Sequence, residues 1–361
     1  MKSLSAIAKE LGVSVATVSY VYNGKWRENR IRPDLADRIH RKLQQEHAAP
    51  NALGQQLRSG RTQTVGVLLP YLDQPYFLKL LAGIERRLGE AGSMVLLGIA
   101  HWQWQSRQAD LLERMLARRV DALLMSPRPA DDLVSYLRSV PRRGNTPLVF
   151  VDNYLPECPA PCVLSDNRWG AREAVRAQIR DGRQRILFFG GSARVAALRD
   201  RYLGYCDALK ESRLALRKSL VVWHDGQTEK ATASVRRLLQ SKERPDAIFA
   251  GSFLGFHPVL QLLDELKLRH PHDVLLAGFD EPLETWTEST VRRVIRRPLL
   301  SVIQPAEEMG RQAVEIALAA IAGGDGVARL CMIRPALSWE SRGRCAKRSP
   351  KATKEPIDAK G

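Results

Sequence analysis

Apolar residues recur at helical spacing in three short segments near the start of the chain. The first follows Ser3, a favoured N-cap residue, and ends at Gly12, since glycine adopts the left-handed conformation at little cost. The second covers residues 15–22, and the third begins at Pro33, a favoured first-turn residue. This pattern predicts a helix-turn-helix domain over residues 1–49. The residues expected in its core are Leu4, Ile7, Ala8, Leu11, Val18, Val21, Leu35, Ile39 and Leu43.

From Thr64 onward, short apolar runs alternate with segments of helical period. Alternation of this kind implies parallel sheets covered by helices on both faces. It extends over about 275 residues, which exceeds one ordinary domain, so we predict an α/β body with two lobes. The predicted strands are Val65–Pro70, Met94–Ile99, Ala122–Met125, Leu148–Val151, Arg185–Phe189, Leu220–Trp223, Ala247–Ala250 and Val274–Gly278.

Composition and cysteine usage indicate the compartment. Hydrophobic residues make up 44% of the 361 residues, yet no apolar run approaches the roughly 18 residues that span a bilayer. The N-terminal segment is amphipathic and lacks an apolar signal core. The cysteines form an odd, scattered set, which is typical of proteins without structural disulfides. We therefore expect a cytoplasmic protein without membrane contact.

Positive charge is concentrated at the two ends of the chain, whose formal net charge is +17. Residues 1–63 hold 11 Lys and Arg against 5 Asp and Glu, and residues 342–361 hold 7 against 2. This distribution favours contact with a polyanion such as nucleic acid, although a charge of this size often only promotes solubility. The polar, basic segment 342–361 is predicted to be a disordered tail.

Several motifs occur in an order that resembles the LacI/GalR family of bacterial transcriptional regulators. Residues 6–19 (AIAKELGVSVATVS) resemble its DNA-binding head, and residues 50–53 (PNAL) and 57–62 (LRSGRT) resemble its hinge. The resemblance covers residues 1 to about 341. In the body it rests on Val120-Asp121-Ala122, Asp166-Asn167 before Gly170, Arg201 before Gly204, Gly278-Phe279-Asp280 and Gln304-Pro305.

The resemblance implies the fold class and the domain order. The expected fold is α/β, with a three-helix helix-turn-helix head and a two-lobed, periplasmic-binding-protein-like body of doubly wound parallel sheets. A hinge over 50–63 would join the head to a body over 64–341. The expected lobes are an N-lobe of about 64–164 with 305–328 and a C-lobe of about 165–304 with 329–341.

By resemblance, the second helix enters the major groove of DNA and presents Val15, Ala16 and Tyr20 to base edges. Tyr20 departs from the family, which usually has Arg or another strong donor there. Val15 is also compatible with a core position, and Ser14 with a capping role alone. The predicted DNA contacts, to bases or phosphates, are Ser14, Val15, Ala16, Thr17, Ser19, Tyr20, Asn23, Arg27, Asn51 and Leu57.

Two segments beside the head allow alternative interpretations. Residues 26–30 (WRENR) form a loop about three residues longer than the family's, which either follows the phosphate backbone or is a solvated loop with Trp26 packed on the head. Residues 51–57 are too short for a stable isolated helix. In the family this hinge becomes helical on DNA and inserts a Leu into the minor groove, at the position of Leu57. Gly54, where Ala is usual, costs about 1 kcal/mol of helix stability and also suits a flexible linker.

By resemblance, a small sugar-like ligand binds between the lobes. Aromatic residues can stack on a sugar, and Arg or Asp can hold two hydroxyls each. Phe77 also suits a helix core, and Arg201 with Asp280 a structural ion pair. Ser252-Phe253 replaces the family's usual Asn-Asp, and the basic loop 286–297 is either exposed or lines the cleft for an anion. The expected ligand residues are Tyr76, Phe77, Asp152, Arg201, Ser252, Asp280 and Gln304.

Other classes of function have less support. Gly190-Gly191-Ser192 is too short for a dinucleotide fingerprint, and His270-Pro271-His272 lacks metal-ligand spacing, so we expect no enzyme activity, cofactor or metal. A transport protein would have no use for residues 1–62. An architectural DNA-binding protein without an effector remains the alternative. We predict a homodimeric regulator, usually a repressor in the family, that binds a nearly palindromic operator and responds to a small molecule.

Overall fold

The structure, a computed structural model, divides the chain into two compact units, one ending at Thr62 and the other beginning at Gln63. Most of the predicted hinge, nearly all of the loop 286–297, Asn23 and the predicted tail lie outside the described residues. The described residues are 2–22, 24–46, 60–101, 104–139, 146–224, 228–280, 294, 299–324 and 330–339.

The described part of the first unit contains three helices, α1 (Leu4–Leu11), α2 (Val15–Tyr22) and α3 (Pro33–Gln45). The Ser3 hydroxyl caps α1 by accepting a hydrogen bond from the Ala6 amide at 3.2 Å. Gly12 has a φ of 65°, and the Val13 amide donates back to the Ala8 carbonyl, which is the pairing of a Schellman turn. The predicted head therefore forms, with helix ends set by local sequence.

The three helices enclose one small core, in which Ile7, Val18, Val21 and Ile39 are fully buried. Of the predicted core residues, Leu11 and Leu35 are only partly buried, and Ala36 takes a fully buried place.

A square of ion pairs also closes this unit, because Lys2 and Lys42 each lie 2.6–3.1 Å from both Glu10 and Glu46. The hydrogen bond from Lys2 lowers the pKa of Glu10, and that from Lys42 lowers the pKa of Glu46. These pairs join the start of the chain to both α1 and the end of α3.

The second unit contains two six-stranded sheets of the same design. The first has the order β11-β5-β4-β3-β1-β2 and is parallel throughout, and the second has the order β12-β10-β9-β8-β6-β7 with β12 antiparallel at its edge. The strands are β1 Thr64–Leu69, β2 Met94–Ile99, β3 Ala122–Met125, β4 Leu148–Val151, β5 Cys162–Ser165, β6 Ile186–Gly190, β7 Val221–Trp223, β8 Ala247–Ala250, β9 Leu275–Phe279, β10 Leu300–Ile303, β11 Leu330–Ile333 and β12 Ala336–Trp339.

Helices cover both faces of each sheet, so each lobe has two apolar layers. This confirms the predicted α/β class with doubly wound sheets. The α-helices that the structure describes in this unit are α4 Pro75–Glu90, α5 Trp104–Ala117, α6 Asp131–Ser139, α7 Asn167–Arg180, α8 Ala196–Glu211, α9 Thr228–Leu239, α10 Phe253–Glu265 and α11 Ala306–Ile321.

Within the described ranges, the chain passes between the lobes three times, at residues 165–167, 303–306 and 333–336. The third crossing corrects one expectation: β11 was assigned to the C-lobe with residues 329–341, but it pairs with β5 in the first sheet, Leu330 opposite Cys162. Only β12 belongs to the second sheet, because Pro335 separates the two short strands and the chain changes lobe there.

Two glycines bring α4 and α11 into direct backbone contact in the first lobe. A Cβ atom on Gly83 would lie 2.1 Å from the carbonyl oxygen of Glu307, and one on Gly310 would lie 2.3 Å from that of Leu80. The second lobe repeats this arrangement, since a Cβ on Gly204 of α8 would lie 2.1 Å from the Arg168 carbonyl of α7. Each lobe therefore depends on one close helix pair.

Among the described residues, no single helix is long and apolar enough to cross a bilayer. The one pair that reaches the required length and composition, α1 with α2, is bent by 115°.

Candidate effector cleft and DNA-contacting helix

The second helix of the head exposes the residues that were predicted to meet DNA. Val15 and Tyr20 are each 40% exposed and Ala16 is exposed, whereas Val18 and Val21 on the opposite side are fully buried. Val15 is therefore a surface residue and not part of the core. Tyr22, which the sequence did not single out, is 41% exposed.

The N-terminus of α2 is capped by Ser14. Its hydroxyl accepts a hydrogen bond from the Thr17 amide at 3.0 Å and lies 2.8 Å from the Thr17 hydroxyl. The capping role predicted for Ser14 is thus present. Because Ser14 is exposed and Thr17 and Ser19 are partly exposed at the surface of this helix, their hydroxyls stay candidates for phosphate contacts.

In the body, two aspartates occupy equivalent places in the two lobes. Asp152 follows β4, the fourth strand of the first lobe, and Asp280 follows β9, the fourth strand of the second. Both have left-handed backbones, with φ of 71° and 61°. This conformation is uncommon for residues other than glycine and tends to persist where a site requires it. The pair marks the carboxyl ends of the strands in both lobes, where open α/β sheets bind ligands.

Arg201 is the cation at the centre of this region and is only 5% exposed. Its Nε donates to Asn167 Oδ1 at 2.7 Å, its Nη1 donates to the Gly251 carbonyl at 2.9 Å, and its guanidinium carbon lies 3.6 Å from the Phe279 ring centroid. No ion pair within 4.0 Å joins Arg201 to Asp280, so the proposed structural pair of these two residues is not formed. Burial lowers the pKa of Arg201, against the opposing charges of Asp280 and Asp152.

Asp152 is held by side chains of the first lobe. The Ser126 hydroxyl donates to Asp152 Oδ2 at 2.6 Å, and Arg128 Nη2 lies 3.8 Å from the same oxygen. Tyr76 lies near Asp152 and is 7% exposed, and its hydroxyl donates to Met309 Sδ at 3.8 Å. Burial raises the pKa of Tyr76 well above its usual value, and the charges of Asp152 and Asp280 add to this effect. Carboxylates of both lobes, Asp152 in the first and Asp280 in the second, therefore raise the pKa of the Tyr76 hydroxyl.

Asp280 pairs with Gln304, whose Nε2 donates to Asp280 Oδ2 at 2.9 Å. Burial raises the pKa of Asp280 to about 6, although Arg201 and Gln304 favour its charged form. Two oxygens of residues that follow strands of the second sheet, Ser252 Oγ and Gln304 Oε1, are buried and have no hydrogen-bond partner among the described residues. A buried polar atom without a partner is costly, so these atoms call for a ligand or water.

Phe77 differs from its neighbour. It is 2% exposed, belongs to the first-lobe core and packs edge-on against Tyr76 with ring centroids 5.0 Å apart. The pKa of Tyr76 responds to the charges of Asp152 and Asp280, whereas Phe77 occupies the core position that its helical spacing also allowed.

Several residues of this site were not predicted as ligand residues. Asn167 orients Arg201, Ser126 orients Asp152, and Asn153 bridges the lobes by accepting a hydrogen bond from the Ala197 amide at 3.1 Å. A second interlobe contact joins Arg194 to Asp131 at 2.9 Å. The sequence contains one indication of two of these residues. Ser126 and Asn153 each come within two residues after a predicted strand, where ligand residues of α/β sheets are expected.

The raised pKa of Asp280 predicts a pH effect on stability. An unfolded aspartate titrates near pH 3.9, so between roughly pH 4 and 6 Asp280 holds a proton in the folded chain that it has lost in the unfolded chain. The contribution of Asp280 to the free energy of unfolding should therefore fall as the pH rises through this window, whereas acids with lowered pKa values, such as Glu10 and Asp207, contribute in the opposite direction. Asp280→Asn keeps the acceptor for Gln304 but cannot ionise, so it should be more stable at pH 7 by about 1–2 kcal/mol.

Urea unfolding measured at a series of pH values checks this expectation. The stability of the variant relative to the parent should increase as the pH rises between the two pKa values, because only the parent carries the Asp280 carboxyl group. Asp207→Asn is the matched control. The hydrogen bond from Arg168 lowers the pKa of Asp207, so removal of this carboxylate should destabilise the protein at neutral pH. Identical pH profiles for Asp280→Asn and the parent would contradict the assignment.

Among the described residues, no three His, Cys, Asp or Glu side chains are grouped as a metal site would require. The fold, the head and the cleft together define a two-lobed binding-protein body that carries a helix-turn-helix head. Residues 62–335 match the family of periplasmic binding proteins and the sugar-binding domain of the LacI family. The chain therefore belongs to the LacI/GalR family of transcriptional regulators, which confirms the family its motifs predicted.

Individual relatives agree with this assignment. The transcriptional repressor PurR of Erwinia tasmaniensis is 28% identical over 320 residues, covering 88% of this chain and 90% of PurR. The structure of the transcriptional regulator CelR with cellobiose has 25% identity and a TM-score of 0.65, over 94% of this chain and 98% of that one. The lac repressor dimer bound to operator and the anti-inducer ONPF has 19% identity and a TM-score of 0.75, over 92% of this chain and 96% of that one, and so shows the fold alone.

Proposed function

We propose that this protein is a homodimeric cytoplasmic repressor without enzyme activity, whose affinity for a nearly palindromic operator changes when a small, sugar-like ligand binds between the lobes. The observation that carries the ligand part is the pair of buried oxygens, Ser252 Oγ and Gln304 Oε1, beside Arg201 and Asp280. What distinguishes these two oxygens is their place at the carboxyl ends of the strands, where Gln304 bonds to Asp280 and the neighbouring Gly251 carbonyl bonds to Arg201.

The donors and acceptors of the cleft favour a ligand rich in hydroxyl groups. Asp152 and Asp280 accept hydrogen bonds, and Arg201 Nη2 donates to none of the described residues. Gln304 Oε1 can accept a hydrogen bond from a ligand hydroxyl, and the Ser252 hydroxyl can donate or accept one. Two carboxylates beside one arginine disfavour a strongly anionic ligand. The similar CelR structure, which holds cellobiose, supports a carbohydrate.

The DNA part of the proposal rests on α2. Of the three residues expected at base edges, Val15 and Ala16 are apolar and Tyr20 carries a phenol, so they suit a thymine methyl contact together with a single hydrogen bond or packing on a base. Two copies of the head, related by a two-fold axis, would bind the two halves of the operator. The similar lac repressor structure is a dimer on operator DNA.

Ligand binding has a structural means to reach the DNA. A ligand that satisfies groups from both lobes would fix their relative position, which the contacts of Asn153 with Ala197 and of Asp131 with Arg194 also set. A change of lobe position alters the spacing of the two hinges in a dimer, and coupling of about 1–3 kcal/mol in operator affinity is typical of such systems.

The proposal predicts that Leu57→Gly abolishes operator binding, with a loss of about 100-fold or more, because the side chain that would wedge into the minor groove is removed. The body should stay folded and dimeric. The measurement is a gel-shift titration on a duplex selected for binding, with sedimentation velocity for the dimer. Leu216→Gly, an equal change at an exposed body residue, is the control. Unchanged operator affinity of Leu57→Gly would exclude this role for Leu57.

A further inference from the structure

The segment that follows α2 is an ordered turn rather than a solvated loop. Gly24 has a φ of 71°, and the Lys25 amide donates to the Tyr20 carbonyl at 2.8 Å, which ends α2 in a Schellman turn. The Asn29 amide and its Nδ2 both donate to the Lys25 carbonyl. The Ile31 amide donates to the Trp26 carbonyl at 2.9 Å, and Arg30, with a φ of 53°, closes the turn.

Trp26 fixes this turn to the head. Its ring is partly buried and packs against the same core that holds α1, α2 and α3 together. The Arg27 guanidinium carbon lies 4.9 Å from the centroid of that ring, so it covers the tryptophan from the solvent side. Trp26 is therefore committed to the fold and is not free to stack on a base, while its neighbours point away from the core.

The turn presents positive charge that the head does not neutralise. Lys25, Arg27 and Arg30 are all exposed, and none of them has an ion pair among the described residues. By contrast, Lys2 and Lys42 are bound to Glu10 and Glu46 in the square of ion pairs. The turn contains one carboxylate, that of Glu28, so its net charge is positive.

We propose that the turn over residues 25–30 is a second DNA contact of the head, in which Lys25, Arg27 and Arg30 bind phosphates beside the groove that α2 enters. This rests on the proposed DNA binding. The hydrogen bond from Lys25 to Tyr20 fixes the turn directly to the end of α2, so a helix seated in the groove brings the turn to the adjacent sugar-phosphate backbone. A cation held in place by a folded turn loses little conformational entropy when it binds. Such contacts position the protein and do not read the sequence.

The test is the salt dependence of binding. The full-length protein is titrated by fluorescence anisotropy against a labelled mixed-sequence duplex of about 30 base pairs, from about 50 to 200 mM KCl. Each phosphate contact contributes about 0.9 to the slope of log K against log salt, so Arg27→Ala should lower the slope by about 1.8 for a dimer, which is about a 12-fold difference across this range. Lys25→Ala and Arg30→Ala should do the same.

Two controls separate this contact from a general charge effect or from loss of structure. Arg118→Ala removes one exposed positive charge from the body and should leave the slope unchanged. Trp26→Phe should keep the turn and the slope, whereas Trp26→Ala should lower the slope with the helices of the head intact by hydrogen exchange. A slope for Arg27→Ala equal to that of the parent and of Arg118→Ala would overturn the inference. A parent protein with no affinity for the duplex would overturn the proposed DNA binding itself.

Discussion

Gly83→Ala is expected to lower the free energy of unfolding of the first lobe by about 2–4 kcal/mol. The added methyl group would lie 2.1 Å from the Glu307 carbonyl oxygen and 2.8 Å from its carbon, and both are backbone atoms of α11 that cannot rotate away. The helices must separate, which opens the apolar layer between them. Alanine's better helix propensity, worth about 1 kcal/mol, offsets only part of this cost.

Gly89→Ala on the same helix is the matched control. There the added methyl group would have no neighbour nearer than the Glu85 carboxylate at 4.0 Å, so the variant should gain up to about 1 kcal/mol from helix propensity alone. Urea unfolding of both variants, followed by circular dichroism, measures the difference. Equal stabilities for the two variants would mean that α4 and α11 do not meet as described.

Substitution of Arg201 is expected to remove the response to the effector and leave operator binding within about two-fold. A charge-assisted hydrogen bond in a buried site contributes about 1.5–3 kcal/mol, so ligand affinity should fall about 10- to 100-fold. The ligand is first identified by thermal-shift screening of mono- and disaccharides with the parent protein. Its affinity is then measured by calorimetry, and its effect on operator binding by gel shift.

Three variants keep this test independent of folding. Arg201→Ala removes the whole side chain, Arg201→Met keeps an aliphatic stem against Phe279, and Arg201→Lys keeps the charge but not the planar fork that serves both Asn167 and Gly251. All three should lose the response, even where Arg201→Met matches the parent in melting temperature. An undiminished response in a folded variant would remove Arg201 from the site.

The sequence predicted strands well where apolar runs are continuous and buried. The eight strands expected from Val65 to Gly278 are all present, with boundaries shifted by no more than one residue. The missed strands, β5, β10, β11 and β12, have four residues each. Ser301 interrupts β10, and β11 alternates exposed and half-buried positions at a sheet edge, so neither has the signal of a buried strand. Pairing with a distant strand, and not local pattern, decides where β11 belongs.

The sequence predicts the charged residues of the candidate site but not the residues that form hydrogen bonds with them. Asp152 and Asp280 both follow apolar runs, and Asp280 also belongs to a family motif, so the sequence singles out both as candidates. Asn167 was recognised as part of a motif, but its hydrogen bond to Arg201 depends on how α7 and α8 pack around Gly204. The burial of Phe77 likewise depends on α11, which lies more than 200 residues further along the chain.

Selection of bound sites from a pool of random duplexes is the measurement that tests the central claim most directly. The full-length protein is used, and recovered duplexes are sequenced. A dimeric regulator with this head should enrich an inverted repeat whose half-sites have a fixed spacing, and Tyr20→Ala should change the preferred bases within each half-site while keeping that spacing. Recovery of no common sequence, with binding that depends only on salt, would contradict the account and favour an architectural DNA-binding protein.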